Sequence, residues 1–270
     1  MMTFAGKVAI ITGSGRGVGR AAAEMFAEQG AKVVINDLDE APAAEAVAAI
    51  RAKGGEAIAV VGNVTAADFP KRIIEETINA FGRLDILVNN AGYTWDGLLH
   101  KMTDEQFQAM LDVHLITPFR LIREAAPYMR DAAKAEMEAG HTASYRKIIN
   151  VSSVAGVSGN VGQANYSSAK AGVVGLTKTV AKEWGGFNIN CNCVAFGLID
   201  TRLTQEKGGE SIGDIALGIP QKVRQMFEQS IPQRRAGTPE EAASAIVYLA
   251  SPLSNYVNGQ VLHVNGGLYT

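Results

Sequence analysis

Cysteine is scarce. The 270-residue chain has two, Cys191 and Cys193. At i and i+2 on a predicted strand they share a face, which disfavours a disulfide between them. They are too few for a zinc site, so small buried hydrophobes in a reducing compartment are expected. An excess of charge is also missing. Lys and Arg number 25 against 27 Asp and Glu, for a net charge of −2 and a pI near 6.1. That balance argues against a nucleic-acid partner. No stretch approaches the roughly 18 unbroken apolar residues of a membrane span. The start, Met1 to Lys7, runs straight into an apolar stretch without the pattern of a secretory signal. A cytoplasmic protein with no membrane partner is the expectation. Internal repeats, low-complexity tracts and linkers are absent too.

What is present is a regular alternation. Short Val/Ile runs read as strands at Lys7–Thr12, Lys32–Asn36, Glu56–Val61, Asp85–Asn89, Lys147–Val151, Asn188–Val194 and Gln260–Val264. Amphipathic stretches read as helices at Val18–Gln29, Ala41–Lys53, Ala66–Phe81, Thr103–Met129, Gln163–Trp184 and Pro239–Ala250, the last opened by Thr238 as N-cap with proline at the first helical position. Strands apolar throughout are buried on both faces, as in a parallel sheet. The expected fold is α/β, an open doubly wound sheet with helices on both faces, in one domain spanning 1–270. Ligands of such sheets sit beyond the carboxyl ends of the strands. Two segments read as irregular. Arg130–Arg146 should leave at the opposite edge and gets no catalytic part. Leu198–Arg235, with Gly208, Gly209, Gly213 and Gly218, follows the sixth strand and could form a lid over the ligand.

The motifs fall where that topology places ligands. Thr12-Gly13-Ser14-Gly15-Arg16-Gly17-Val18-Gly19 joins the first strand to the first helix. Glycines let the turn approach a pyrophosphate, and the helix start offers free N–H groups and a positive dipole end. An unliganded glycine-rich turn would read the same. Asp37, at the end of the second strand, can bind the adenosine ribose hydroxyls and repels a 2′-phosphate, which favours NAD. Arg16 could instead pair with that phosphate and admit NADP; the direct repulsion by Asp37 carries more weight. Asn89-Asn90-Ala91-Gly92 follows the fourth strand, where small residues and amides suit cofactor contact and bracing between strands. Ser153 lies just past the fifth strand. Tyr166 and Lys170, at i and i+4, share one face of the next helix. An ammonium beside a phenol stabilises the phenolate and lowers its pKa, so such a tyrosine can exchange protons.

Taken together, TGSGRGVG, NNAG, the serine of NVSSVAG, YSSAK and the closing NGQVLHVNGG resemble the short-chain dehydrogenase/reductase family over essentially the whole chain. The resemblance implies a seven-stranded Rossmann fold, a nicotinamide cofactor and a homotetramer. It implies Tyr166 as acid/base, Lys170 at the nicotinamide ribose and Ser153 orienting a carbonyl. It places Val64 and the residue before it, Asn63, at the adenine, and Ile199 and Thr201 at the carboxamide. Three positions depart from the family pattern. Asn63 stands where an aspartate is usual, and can still accept from the adenine amino group. Phe196-Gly197 replaces proline-glycine. His114 stands where an asparagine completes a proton relay; imidazole can both accept and donate, though a histidine merely packed on the sheet would look the same.

The histidine, the Asn36-Asp37-Leu38 stretch and Gly159–Ser167 are similar to the branch holding D-3-hydroxyacyl-CoA dehydrogenases, with 3-oxoacyl-ACP reductases next. The expected substrate is a small-molecule carbonyl or alcohol, a 3-oxoacyl/3-hydroxyacyl thioester on CoA or acyl carrier protein. Hydroxysteroids or polyols are the enzymatic alternative. A non-catalytic dinucleotide sensor is the alternative of another class, against which the intact Ser153, Tyr166 and Lys170 argue. Small residues on the helix Gln163–Trp184 suit packing on a partner subunit, as they would a buried helix.

Overall fold

The apolar runs become short strands because each is buried on both faces. The computed structural model describes residues 3–206, 211, 212 and 215–269; Gly208, Gly209 and Gly213 of the expected lid lie outside the described residues. The elements are β1 (Val8–Ile11), α1 (Gly17–Glu28), β2 (Lys32–Ile35), α2 (Glu40–Ala52), β3 (Glu56–Ala59), α3 (Phe69–Phe81) and β4 (Ile86–Asn89). After these come α4 (Asp104–Leu111), α5 (Thr117–Ala126), α6 (Ala132–Glu138), β5 (Arg146–Ser153), α7 (Ala155–Ser158), α8 (Ala164–Trp184) and β6 (Ile189–Phe196). A two-residue hairpin, β7 (Ser211–Ile212) and β8 (Ile215–Ala216), then α9 (Gln221–Ser230), α10 (Pro239–Ala250) and β9 (Val261–Val264) complete the chain. Seven strands form one parallel sheet in the order β3-β2-β1-β4-β5-β6-β9. That is the doubly wound Rossmann order, with its switch point between β1 and β4.

Alternation along the strands divides the core between the two faces. Ile11, Val33, Ile35 and Val88 face one layer, with Phe26 of α1 and Ile246 of α10. Ile10, Val34, Leu87 and Ile148 face the other, with Ile73 of α3, Leu121 of α5 and Val180 of α8. The far edge is fastened by asparagines. Asn192 donates to the Val257 carbonyl at 2.8 Å and accepts from Gln260 N at 2.9 Å, and Asn258 accepts from Cys191 N at 2.9 Å. These bonds set β9 beside β6. Cys191 and Cys193 are free and buried, with both thiols pushed up by burial, Cys193 to about 11. No helix among the described residues is long and apolar enough to cross a membrane.

The segment 130–146 corrects the expectation. The helical path runs from α4 to the end of α6, through π-helical turns at Asp112–Ile116 and Pro127–Asp131. Pro118 and Pro127 explain the wider turns. Each lacks the N–H an α-helix would return to the carbonyl four residues back, at His114 and Arg123. Glu136 on α6 then pairs with buried Arg146 at 2.6 Å, which holds the Glu136 carboxyl below its usual range. The strand ends also differ. β5 and β6 run on to Ser153 and Phe196, which pair with each other; Phe196 has the ladder N–H that a proline would lack.

Candidate active site

One large cleft, about 890 Å³, opens over the carboxyl edge of the sheet. Its dinucleotide end is built by the turn from β1 to α1. The first helical turn has no acidic residue, and Arg16 at the N-cap makes no capping bond. The leading N–H groups thus meet no side chain of their own, as an anion site requires. Gly13, Arg16, Gly17, Val18 and Gly19 line the cleft. A Cβ at Gly19 would stand 2.3 Å from the Gly13 carbonyl oxygen and 2.5 Å from Asn90 Nδ2, so only glycine lets the loop close here. Ser14 is different. Fully buried, it donates to the Ile11 carbonyl at 2.6 Å and accepts from Asn36 N, so it shapes the loop and does not line the cleft.

Asp37 is 5 % exposed and lines the cleft beside this loop. Its carboxylate accepts from Gly15 N and Asp39 N, both at 3.2 Å. Arg16 turns to Asp39 instead, at 3.0 Å. Asn63 and Val64 line the cleft as well. The Asn63 Oδ1 is engaged by the Thr65 N–H and hydroxyl, at 3.0 and 2.9 Å, which occupies the acceptor assigned above to the adenine.

Of the NNAG stretch, Ala91 and Gly92 line the cleft and Asn89 does not. The Asn89 amide turns into the sheet and donates to Asn150 at 2.7 Å, bracing β4 against β5. Asn90 lines the cleft and ties the Thr12 and Gly13 carbonyls at 2.9 and 3.1 Å. Gly197, Ile199 and Thr201 line the cleft too, with Thr201 against Gly17 of the glycine loop.

Ser153, Tyr166 and Lys170 come together in the cleft. The Ser153 hydroxyl accepts from Ala155 N at 3.2 Å, and its influence on Tyr166 favours the phenolate. Lys170 Nζ lies 5.5 Å from the Tyr166 ring centre and donates to the Val151 carbonyl at 2.6 Å. Lys170 is buried because α8 sets it on the sheet-facing stripe with Ala169, Val173 and Thr177. Asn165 fixes the start of this helix, donating to the Trp95 and Gln106 carbonyls at 3.0 and 2.9 Å and accepting from Tyr166 N at 2.7 Å. Its neighbours Gln163, Tyr166, Ser167 and Ser168 are polar too, so nothing in the sequence marks it as the buried one.

The electrostatics correct the expected phenol. Burial pushes Tyr166 up to about 12, against the opposing pull of the Ser153 hydrogen bond, and the Asp96 charge adds to the rise. Burial also lowers Lys170 to about 8. Desolvation is the largest influence on both groups.

His114 sits in the first π-helical turn, 4 % exposed, with its ring edge-on to Tyr166 at 5.0 Å. Nε2 is 2.7 Å from the Tyr93 carbonyl. A carbonyl only accepts, so Nε2 carries the ring proton and Nδ1 is a bare acceptor, buried without a protein partner. Burial and the Lys170 charge hold the ring well below the usual histidine range. Passing a proton through the ring is therefore opposed: one nitrogen is committed to a carbonyl that has no proton to return. Gly92 makes room for the ring, since a Cβ there would stand 2.2 Å from His114 Cε1.

A Rossmann sheet, a glycine loop at a helix start and a serine–tyrosine pair over a buried lysine define a dinucleotide-dependent oxidoreductase. The family model described as enoyl-(acyl carrier protein) reductase matches residues 13–269. The chain is 39 % identical to the 3-oxoacyl-[acyl-carrier-protein] reductase FabG of Thermotoga maritima over 267 residues, 99 % of each chain. It is 42 % identical to a 3-oxoacyl-[acyl-carrier-protein] reductase of Synechocystis over 270 residues, again 99 % of each. A third similar protein, the reductase FabG of Staphylococcus aureus, is 38 % identical over 97 % of this chain and 98 % of its own. The chain belongs to the short-chain dehydrogenase/reductase family, whose members act on carbonyl and CH–OH groups with a nicotinamide dinucleotide.

Proposed function

We propose that the chain reduces the ketone of a 3-oxoacyl thioester, carried on acyl carrier protein or CoA, with NADH. The observation that carries this is the meeting of Ser153, Tyr166 and buried Lys170 in the cleft entered by the glycine loop. Bound dinucleotide supplies the hydride to the carbonyl carbon. Ser153 and Tyr166 hydrogen-bond the carbonyl oxygen as it gains charge. The Tyr166 O–H bond breaks and its proton goes to that oxygen, giving the alcohol. The Lys170 ammonium then favours the phenolate left behind. His114 contributes a fixed acceptor at Nδ1, which orients a neighbouring donor. The names of the similar proteins support the thioester.

NADH is preferred because the Asp37 carboxylate lies where a 2′-phosphate would be repelled, and Arg16 is already paired with Asp39. The reading takes 1–270 as one domain with its substrate loop at 198–235. It also includes the homotetramer: Leu253, Tyr256 and Leu262 are exposed near the unpaired edge of β9. The test is NADH oxidation with acetoacetyl-CoA. The wild type turns over, and Tyr166→Phe loses turnover while its NADH affinity by fluorescence titration stays within about threefold, as for a group whose contribution is confined to the transition state. Full activity in that variant overturns the mechanism.

A further inference from the structure

Phe196 stands where the family has a proline, and its side chain has no part in the proton transfer. β5 and β6 end together, with Ser153 and Phe196 as register partners. Such partners point to one face of the sheet from strands about 5 Å apart. Phe196 shares its core layer with Val151, Val194 and Ile199, on the side of the helix that begins at the glycine loop. It is 8 % exposed, and with Ser153 and Val18 it lines the cleft. Among these apolar neighbours it is the aromatic one.

The backbone of Phe196 is fixed from both sides. Its carbonyl accepts from Val154 N at 2.9 Å, and Gly197 N donates to the Val264 carbonyl at 3.0 Å. A Cβ at Gly197 would stand 2.8 Å from Asn265 Cβ, so the chain can turn away behind the ring only at glycine. A group preset in this way needs no reorganisation when charge develops beside it.

Hydride transfer brings the donor carbon to about 3–3.5 Å from the carbonyl carbon. Ser153 and Tyr166 hold the carbonyl oxygen, so the nicotinamide comes to rest beside Ser153, next to its strand partner. That ring is neutral when reduced and cationic once its hydride has left. An aromatic face attracts a cation, and an aliphatic side chain has no such face.

We propose that the Phe196 ring stabilises the positive charge the nicotinamide gains as its hydride leaves for the ketone carbon. The chain then holds the oxidised dinucleotide more tightly, relative to the reduced one, than it would without the ring. Stabilising the oxidised form makes the bound reduced form the stronger hydride donor, which serves reduction of the ketone. The proposal rests on the nicotinamide cofactor and not on the acyl thioester.

The test is titration calorimetry of NAD⁺ and NADH, without substrate, on the wild type and on Phe196→Leu. Leucine keeps the ladder N–H and an apolar side chain but removes the aromatic face. In this variant the ratio of Kd for NAD⁺ to Kd for NADH rises about three- to tenfold. That equals a rise of roughly 15–30 mV in the potential of the bound couple. Phe196→Tyr restores the face and stays within about twofold of the wild-type ratio. An unchanged ratio in Phe196→Leu, including equal weakening of both dinucleotides, overturns the proposal and makes Phe196 a packing residue. A wild type that binds neither dinucleotide overturns the cofactor reading together with it.

Discussion

An ammonium with 4 % of its surface exposed is held against its own hydration, and at Lys170 this has a measurable sign. Its pKa falls from 10.5 to about 8 in the folded chain. Below pH 8 the lysine is charged whether folded or unfolded, and the full desolvation opposes folding; the opposition fades as pH rises from 8 towards 10.5. Lys170→Met should therefore abolish turnover yet raise stability at pH 7 by about 1–3 kcal/mol, the low end reflecting the Val151 carbonyl left without its donor. Denaturant melts at pH 7 and pH 9.5 read the effect, and a gain that does not shrink at the higher pH contradicts it. Asp37 tests the other end of the cleft. Asp37→Asn keeps an acceptor for the loop N–H groups and removes the charge facing a 2′-phosphate. The NADH-to-NADPH ratio of kcat/KM should fall by about tenfold, roughly 1.4 kcal/mol, and an unchanged ratio means that Asp37 serves the loop alone.

Elements, more than residues, decided what could be read in advance. Ser153, Tyr166 and Lys170 were legible because two belong to one helix face and the third follows a strand. Their placement needs only local periodicity and the topology rule for open sheets. The π-helical turns leave the helical periodicity of 103–129 almost unchanged, and the charge of 130–146 hides the continuation of the helix to Glu138. Asn89, Ser14 and Asn165 could not be assigned locally: which way each amide or hydroxyl turns is set by strands and loops distant in sequence, at Asn150, Asn36 and Trp95. The first π-helical turn allows a prediction of its own. Gly92→Ala drives a methyl into the His114 ring and should destabilise the chain by about 1–3 kcal/mol. In a His114→Ala background the same change should be nearly neutral, so the double-mutant cycle shows a coupling of comparable size. Additive effects in thermal melts would separate the two residues.

At the scale of the molecule, the cleft belongs to the folded chain alone, and a ligand there stabilises it by mass action. NADH at one hundred times its Kd adds about 2.7 kcal/mol, which for a chain of this size raises Tm on the order of 5 °C or more. NADPH at the same concentration should raise it less, and Tyr166→Phe should keep the NADH shift, since it loses chemistry and not binding. Equal shifts from both dinucleotides would remove the preference drawn from Asp37. The place of α10 bears on how the chain is made. Its Ala242, Ala243 and Ile246 share a core with Ala22, Ala23 and Phe26 of α1. The apolar face of the helix that begins at the glycine loop thus stays partly uncovered until α10 has been translated. β9 arrives later still. A nascent chain stalled before Thr238 would hold every residue of the glycine loop, Ser153, Tyr166 and Lys170, and still have no covered layer beneath its dinucleotide site. That layer of the sheet is therefore open to other chains until α10 arrives, whereas the opposite layer, under α3, α5 and α8, is complete once β6 has been made.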